Sequence, residues 1–231
     1  MKAVIFAAGR GERMMPLTEG RPKPLLKGCG KTIIEWNFLS LEKAGMRHAV
    51  VVLGHLGKKI QAAYGKRFGR LSIEYVWQDE KMKGTAAALH AARDSVALPF
   101  IAMNGDVIYP SRLIDKIARM KKPGCAVALE RTNAPEKMGI ALVDEKRLYE
   151  IVEKPQIGNV DGLWANSGLY RFSPDVFGMM QKLEPSPNGE LEITGIVNAL
   201  ARKGKVTPLY WQGALPHFTE LKDLSRRKVI I

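Results

Sequence analysis

The residues that could do chemistry begin directly after the first apolar run, in a loop at residues 7–27 that is rich in glycine and cations. Gly9 and Gly11 lack a Cβ, so backbone N–H groups at these positions can approach an anion closely. The cationic side chains of the loop can together neutralise neighbouring phosphate charges. These cations are Arg10, Arg13, Arg21, Lys23 and Lys27. The segment therefore predicts a binding loop for a phosphate chain.

Two common phosphate-binding fingerprints do not fit this loop. The dinucleotide-binding pattern Gly-x-Gly-x-x-Gly requires a third glycine where the chain has Met14, and Pro16 blocks the helix that should follow. Gly30-Lys31-Thr32 resembles the end of a P-loop, but Leu25 stands where that motif begins with glycine. A long non-helical loop is therefore expected to hold the phosphates.

Two further clusters are candidates for ligand contacts. Gln78 can pair with the edge of a nucleobase, and Gly84-Thr85 begins a predicted helix with backbone N–H groups and a hydroxyl. Thr85 as a simple helix cap is the alternative interpretation. Asp106 ends a very apolar run, where a carboxylate is costly unless it meets a cation or hydrogen-bond donors. A metal ligand and a turn cap are the two roles open to Asp106.

The elements that must position these residues alternate in the first half of the chain. Buried strands are predicted at Ala3–Phe6, His48–Leu53, Leu71–Val76 and Phe100–Met103, and amphipathic helices at Thr32–Ala44, Lys58–Arg67 and Thr85–Arg93. The first of these helices is expected to turn Ile33, Trp36, Leu39 and Leu41 inward. The alternation predicts βαβ units in a mostly parallel sheet, whose strands carry the ligand site at their carboxyl ends.

After about residue 123 the pattern changes to closely spaced short runs. Strands are predicted at Cys125–Glu130, Ile140–Val143, Leu148–Glu153, Leu163–Phe172 and Val206–Trp211, with helices that begin at Ser173-Pro174 and at Ile193. The predicted fold class is α/β: a Rossmann-like three-layer sandwich with a mostly parallel central sheet and a mixed or antiparallel extension in the second half. Since no Ser/Gly/Pro-rich linker divides the chain, residues 1–231 are predicted to form a single domain.

Composition narrows the class of partner. The 36 Lys and Arg residues exceed the 23 Asp and Glu residues, which gives a net charge of +13 that attracts phosphate in any form. Without an Arg/Lys stripe interleaved with aromatics, nucleic acid is not an expected partner. Apolar runs fall well short of the roughly 18–20 residues of a membrane span, so no membrane partner is expected. The first apolar stretch is too short for a signal peptide, and a cytoplasmic location is predicted.

The loop carries a double motif that resembles the signature of the sugar-1-phosphate nucleotidyltransferases. Its two parts are Gly9-x-Gly11-x-Arg13-x-x-Pro16-Leu17-Thr18 and Pro22-Lys23-Pro24-Leu25. The resemblance, which extends to about residue 211, implies that Arg13 and Lys23 are catalytic and grip the triphosphate. It also implies a set of nucleotide-binding residues, in which the backbone at Ala8, Gly9 and Gly11 cradles base and phosphates and Gln78, Gly84 and Thr85 contact the pyrimidine side.

The same resemblance implies the metal and acceptor sites. Asp106 would bind Mg²⁺, which is the cofactor expected. The sugar-phosphate-binding residues would be Gly139, Glu153, Lys154 and Asn166, although each alone could be an exposed strand-end residue. Residues 1–123 would form the nucleotide-binding half and residues 124–231 the sugar-phosphate-binding half. The segment Gly189–Thr194 matches an element near the sugar, but it could equally be a helix start with an acidic first turn.

The chain departs from the family near its end. Family members commonly continue from a tryptophan, after one residue, with Asp-Ile-Gly-Thr-Pro, and that aspartate is the second metal ligand. Here Trp211-Gln212 is followed by Gly213-Ala214-Leu215-Pro216. His217 and Glu220 are alternatives for the second ligand, and a packed histidine beside Phe218 is the simpler interpretation.

The resemblance implies transfer of a nucleoside monophosphate from a nucleoside triphosphate, UTP or dTTP, to a sugar 1-phosphate. One alternative uses the same site as a cytidylyltransferase for a polyol, inositol or amino-alcohol phosphate. Another is a non-catalytic regulatory subunit that binds nucleotide sugars, which the missing aspartate leaves open. The family also makes a homo-oligomer an expected assembly.

Overall fold

The computed structural model describes residues 1–97, 99–121, 124–158, 160–186, 188–225 and 229–231. The strands are β1 (Ala3–Ala7), β2 (Lys27–Gly28), β3 (Lys31–Thr32), β4 (His48–Leu53), β5 (Arg67–Phe68), β6 (Leu71–Trp77), β7 (Phe100–Asn104), β8 (Cys125–Thr132), β9 (Gly139–Val143), β10 (Leu148–Glu153), β11 (Leu163–Phe172) and β12 (Val206–Trp211). The α-helices are α1 (Ile33–Lys43), α2 (Gly57–Tyr64), α3 (Thr85–Ala91), α4 (Ser111–Ala118) and α5 (Ile193–Arg202). None of the helices in these ranges is long and apolar enough to cross a membrane.

One ten-stranded sheet runs through both halves of the sequence. Its centre has the order β7-β1-β4-β6 with all neighbours parallel. Beyond β7 the pairing becomes antiparallel at β11, which in turn pairs with β8 and β9, while β12 lies parallel to β8. The predicted parallel centre with a mixed extension is therefore confirmed. The predicted boundary of the two halves, at residue 123, lies outside the described residues.

Helices cover both faces of the sheet, which confirms the three-layer arrangement. On one face, buried residues of α1, α2 and α4 pack against Ala3, Ile5 and Ala7 of β1. On the other face, α3 and α5 pack against a cluster that includes Val4 and Val52. Successive residues of β1 thus enter different cores, as the two-residue period of a strand covered on both sides requires.

The helices differ from the sequence-based expectations in several details. Helix α4 was not expected, although it buries Leu113, Ile114 and Ile117 along one side. Helix α2 ends at Tyr64 rather than at residue 67, because Gly65 takes φ +57°. The segment Pro174–Lys182, expected as a helix, is a 3₁₀ helix.

The buried side of α1 agrees with the expectation at Ile33 and Leu41 and differs from it elsewhere. Ile34, Phe38 and Leu41 are fully buried, whereas Trp36 and Leu39 are half-buried. The Phe38 ring contacts the rings of Tyr64 and Phe68 at centroid distances of 5.2 and 5.4 Å. These three rings fasten α1 to α2 and to the edge hairpin of β5 and β6.

Phe38→Ala should therefore lower the free energy of unfolding by about 3–5 kcal/mol, since it removes a fully buried ring and leaves a cavity. Urea denaturation followed by circular dichroism measures the change. Tyr149→Ala is the matched control, because its ring is 48% exposed and its loss should cost little. Equal losses in the two variants would contradict this account of the core.

Candidate active site

The predicted site lies at the carboxyl edge of the parallel strands, where their backbones approach very closely. A Cβ on Gly54, after β4, would lie 2.4 Å from the Ala8 carbonyl oxygen after β1. A Cβ on Gly105, after β7, would lie 2.3 Å from the Phe6 carbonyl oxygen, which accepts the Gly105 N–H at 2.9 Å. Glycine at these strand ends therefore allows three neighbouring strands to form one continuous floor.

The loop at residues 7–27 folds back on itself around Gly11. Gly11 has φ +71°, and its carbonyl oxygen accepts the Met14 N–H at 2.8 Å and the Thr18 hydroxyl at 3.0 Å. A Cβ on Gly11 would lie 3.0 Å from Cβ of Lys23. The loop contains two single-turn 3₁₀ helices, at Glu12–Met14 and Lys23–Leu25, so the expectation of a wholly non-helical loop was wrong.

Lys23 and Asp106 form an ion pair at the centre of the floor. Lys23 Nζ lies 2.6 Å from Asp106 Oδ2, and the two side chains are 13% and 30% exposed. Two partly buried charges this close stabilise one another, because each would be costly to leave unpaired. The structure thus brings together the predicted catalytic lysine and the predicted metal ligand, whereas Arg13 lies exposed on the first 3₁₀ turn.

Gln78 follows β6 at the same edge of the sheet. Its backbone N–H donates to the Leu53 carbonyl oxygen, and its side-chain Nε2 donates to the Met82 carbonyl oxygen at 2.7 Å. These two bonds hold the amide plane in place across the turn that leads towards Gly84. The arrangement suits an amide that pairs with a planar base, which stays a prediction for Gln78.

The segment that carries Gly84 and Thr85 is fastened to the start of α5. Gly84 has φ +100°, and a Cβ there would lie 2.4 Å from the Leu191 carbonyl oxygen. That oxygen accepts the Ala86 N–H at 2.8 Å, and the Leu191 N–H donates to the Lys83 carbonyl oxygen at 2.8 Å. The close backbone contact therefore joins the two halves of the sequence directly beside the predicted nucleotide site.

The Thr85 hydroxyl belongs to this junction. It donates to Glu192 Oε2 at 2.9 Å and accepts the Ile193 N–H, also at 2.9 Å. Thr85 therefore satisfies the N-terminus of α5, and what it offers to a nucleotide stays a prediction. Glu192 belongs to the segment expected either near the sugar or as an acidic helix start, and its contact with Thr85, 107 residues away, had no signal in the sequence.

The surroundings of Glu192 disfavour the charged form of its carboxyl group. Burial raises the pKa of its carboxyl group above the ordinary value of 4.5, and the neighbouring Glu153 and Glu190 raise it further. The Thr85 hydroxyl acts in the opposite direction, because a hydrogen bond to the carboxylate favours its charged form. Glu192 thus bonds to Thr85, a predicted nucleotide-binding residue, and interacts electrostatically with Glu153, a predicted acceptor residue.

Three of the predicted acceptor residues, Gly139, Glu153 and Lys154, lie at strand ends in the second half, and Asn166 lies within β11. Glu153 and Gly139 are cross-strand partners, and a Cβ on Gly139 would lie 3.2 Å from Glu153 Oε1. Lys154 is exposed and has φ +43°. Asn166 is tied inward, since its Nδ2 donates to the Tyr170 hydroxyl at 2.6 Å and its Oδ1 accepts the Gly168 N–H. Glu153 and Lys154 are thus the more accessible members of this set.

The alternatives for a second metal ligand have other partners. Glu220 pairs with Lys137 at 3.4 Å and with Lys222 at 2.7 Å. His217 Nε2 donates to Glu130 Oε1 at 2.7 Å, with Glu130 almost fully buried. Within the described ranges, no three His, Cys, Asp or Glu side chains are arranged to hold a metal ion.

Thr85→Val should lower the free energy of unfolding by about 1–3 kcal/mol, because the Glu192 carboxylate and the Ile193 N–H would each lose a partner. Thr85→Ser keeps the hydroxyl and is the matched control. Urea denaturation measures both variants. Equal stability of the valine and serine variants would show that the hydroxyl does not join the two halves.

Glu192→Gln should change the pH dependence of stability. With a raised pKa in the folded state, the folded chain binds the proton more tightly than the unfolded chain does. This contribution is complete below 4.5 and is lost as the pH rises through the raised pKa. Wild-type protein should therefore lose stability relative to Glu192→Gln as the pH increases across that window. Urea denaturation at a series of pH values tests it, and a pH-independent difference would contradict it.

Comparisons with known proteins show the family of the chain. The family model described as nucleotidyl transferase matches residues 2–212. The chain is 34% identical over 207 residues to the bifunctional protein GlmU of Methanococcus maripaludis, covering 89% of this chain and 48% of that protein. It is 32% identical over 210 residues to the UTP–glucose-1-phosphate uridylyltransferase AglF of Haloferax volcanii, covering 89% of this chain and 85% of that protein. The chain spans about half the length of the GlmU relatives.

Solved structures show the same fold. A protein of Bacillus anthracis provisionally assigned as a glucose-1-phosphate thymidylyltransferase superimposes with a TM-score of 0.85 at 27% identity, covering 97% of this chain and 92% of that one. A UDP-glucose pyrophosphorylase without ligand gives a TM-score of 0.83 at 20% identity, which speaks for the fold alone. Because the family model matches residues 2–212 of the 231 residues of this chain, the chain belongs to the nucleotidyl transferase family.

Proposed function

We propose that this chain transfers a nucleoside monophosphate from UTP or dTTP to a sugar 1-phosphate and releases pyrophosphate. The observation that carries the proposal is the Lys23–Asp106 pair beside the Gly11 turn, at the carboxyl edge of the sheet. Such an edge is where ligands bind in parallel α/β sheets. The uridylyltransferase activity for which AglF is named supports the same reaction, and this chain matches AglF over 85% of the length of AglF.

The reaction needs charge neutralisation and alignment more than proton transfer. An oxygen of the sugar 1-phosphate forms a bond to the α-phosphorus of the triphosphate. The bond from that phosphorus to the bridging oxygen breaks, and pyrophosphate leaves with the electron pair. A phosphate monoester dianion is already a nucleophile, so no general base is required. Positioned cations that stabilise the charge on the transferred phosphoryl group then supply most of the catalysis.

The residues divide this work according to their place in the structure. On the nucleotide side, the backbone from Ala8 to Gly11 and the amide of Gln78 would hold phosphates and base, while Arg13 and Lys23 would grip the triphosphate. On the acceptor side, Lys154 would bind the sugar phosphate. Sugar hydroxyls would contact residues that lie on neighbouring strands there: Gly139, Glu153 and Asn166.

Asp106 suits a magnesium site in which substrate phosphates supply further ligands. Mg²⁺ is usually bound by one or two carboxylates together with substrate phosphates. Asp106 would supply one carboxylate, and a triphosphate held by the neighbouring loop would supply the phosphate oxygens. When bound, Mg²⁺ would neutralise phosphate charge. Asp106 would hold the cation, and Lys23 Nζ would neutralise phosphate charge beside it. The ion pair therefore places a cationic and a metal-binding group at one point of the sheet edge.

The remaining partners follow from the same chemistry. The two substrates are the proposed partners, and neither nucleic acid nor a membrane is among them. A cytoplasmic location and a homo-oligomer stay predictions from the sequence.

Lys23→Ala should lower kcat by about 10²-fold or more, because it removes a preorganised cation from the transferred phosphate. Release of pyrophosphate in a coupled assay measures turnover. Lys66→Ala, which removes an exposed cation after α2, is the matched control and should keep normal turnover. An unchanged kcat in Lys23→Ala would remove Lys23 from the chemistry.

The proposed substrates are tested by a matrix of nucleoside triphosphates against sugar and polyol phosphates, with and without Mg²⁺. Turnover of UTP or dTTP with a sugar 1-phosphate is the expected result, and it should depend on Mg²⁺. Turnover of CTP with a polyol phosphate alone would instead establish the cytidylyltransferase. Absence of turnover with every pair, together with tight binding of a nucleotide sugar, would establish a regulatory subunit.

A further inference from the structure

The chain beyond the family match returns to the strand end that carries Asp106. The Phe218 N–H donates to the Asp106 carbonyl oxygen at 2.8 Å, and the Ile108 N–H donates to the Pro216 carbonyl oxygen at 3.0 Å. Between these bonds, Val107 and His217 form an antiparallel bridge. Residues 215–218, called here the C-terminal brace, therefore hold the backbone of Asp106 from the side opposite β1.

A buried carboxylate locks the C-terminal brace to the sheet. Glu130, in β8, is 3% exposed. Its Oε1 accepts a hydrogen bond from His217 Nε2 at 2.7 Å, and its Oε2 accepts the Leu215 N–H at 3.1 Å. Because a buried carboxylate is costly without donors, both bonds favour one position of the brace relative to β8.

The brace also packs against the loop at residues 7–27. The Phe218 side chain is fully buried, in one cluster with Met14 and Leu26 of the loop. A Cβ on Gly28 would lie 2.4 Å from the Phe218 ring, so glycine is required for this contact. One short segment thus touches both the loop that delivers Lys23 and the strand end that delivers Asp106.

We propose that the C-terminal brace positions Asp106 for magnesium and the triphosphate, with Glu130 and His217 as positioning residues. This inference rests on the proposed function. In this chain glycine instead of aspartate stands directly after Trp211-Gln212, and the segment that follows forms a backbone ladder, locked by Glu130, that fixes Asp106. Residues that orient a metal ligand from outside commonly change metal affinity or activity by about 10–100-fold when they are removed.

The test compares His217→Ala with His217→Gln, whose amide N–H can still donate to Glu130. Lys222→Gln, which breaks only an exposed ion pair after the brace, is the control. In His217→Ala, kcat should fall about tenfold and the Mg²⁺ concentration for half-maximal turnover should rise about tenfold. The KM for the acceptor should stay within about twofold, because the hydrogen bonds of the brace hold the strand end that carries Asp106. His217→Gln should recover most of the loss.

Hydrogen exchange gives a readout that does not depend on turnover. The amides of Phe218 and Ile108 should exchange at least about tenfold faster in His217→Ala, while amides of β4 keep their protection. Unchanged exchange of these two amides would overturn the brace. Faster exchange with unchanged kcat and Mg²⁺ dependence would overturn its positioning role. If amides throughout the protein lose protection against exchange in both His217 variants, His217 acts on stability alone. This result would also overturn the positioning role.

The proposed function can fail separately. If the unmodified protein turns over no substrate pair, calorimetric binding of UTP with and without Mg²⁺ decides between the outcomes. If Mg²⁺ raises the affinity for UTP and His217→Ala makes that gain about tenfold smaller, the result supports the positioning role without catalysis. An equal gain in both proteins, or no gain in either, overturns it.

Discussion

The ion pair between Lys23 and Asp106 joins two groups that lie 83 residues apart in the chain. Neither charge would be stable alone in so enclosed a place, because a partly buried ion needs a partner. Their contact requires β7 to end beside β1 and the loop after β1 to turn back over both strands. The packing of the sheet, the glycines at the strand ends and the anchoring of the loop all serve this one contact.

Glycine has a specific mechanical role in this arrangement. At Gly54 and Gly105 a side chain would collide with a neighbouring carbonyl oxygen, so the strand ends could not approach. At Gly84 the same close approach joins the nucleotide-side segment to residue 191 in the second half. Backbone hydrogen bonds therefore connect the two halves of the sequence at this point.

Much of the fold was predictable from local pattern. The strands His48–Leu53, Leu148–Glu153, Leu163–Phe172 and Val206–Trp211 have the predicted bounds, because apolar period and turn residues are local properties. Helix α4 was not predicted, although α2, of the same length, and the shorter α3 were. On α1, Trp36 and Leu39 were expected inward but are half-buried, because Phe38 fills that place by packing on rings of later elements.

The sequence likewise accounts for only part of the candidate site. Residue types and spacing predicted a phosphate-binding loop and identified the family, since glycines, cations and prolines at residues 7–27 form a contiguous motif. Only the tertiary structure decided that Lys23 pairs with Asp106, that Thr85 bonds to Glu192, and that Glu130 locks His217. Each of these contacts joins residues more than 80 positions apart, and no local pattern encodes which distant side chain will fill a given place in a packed fold.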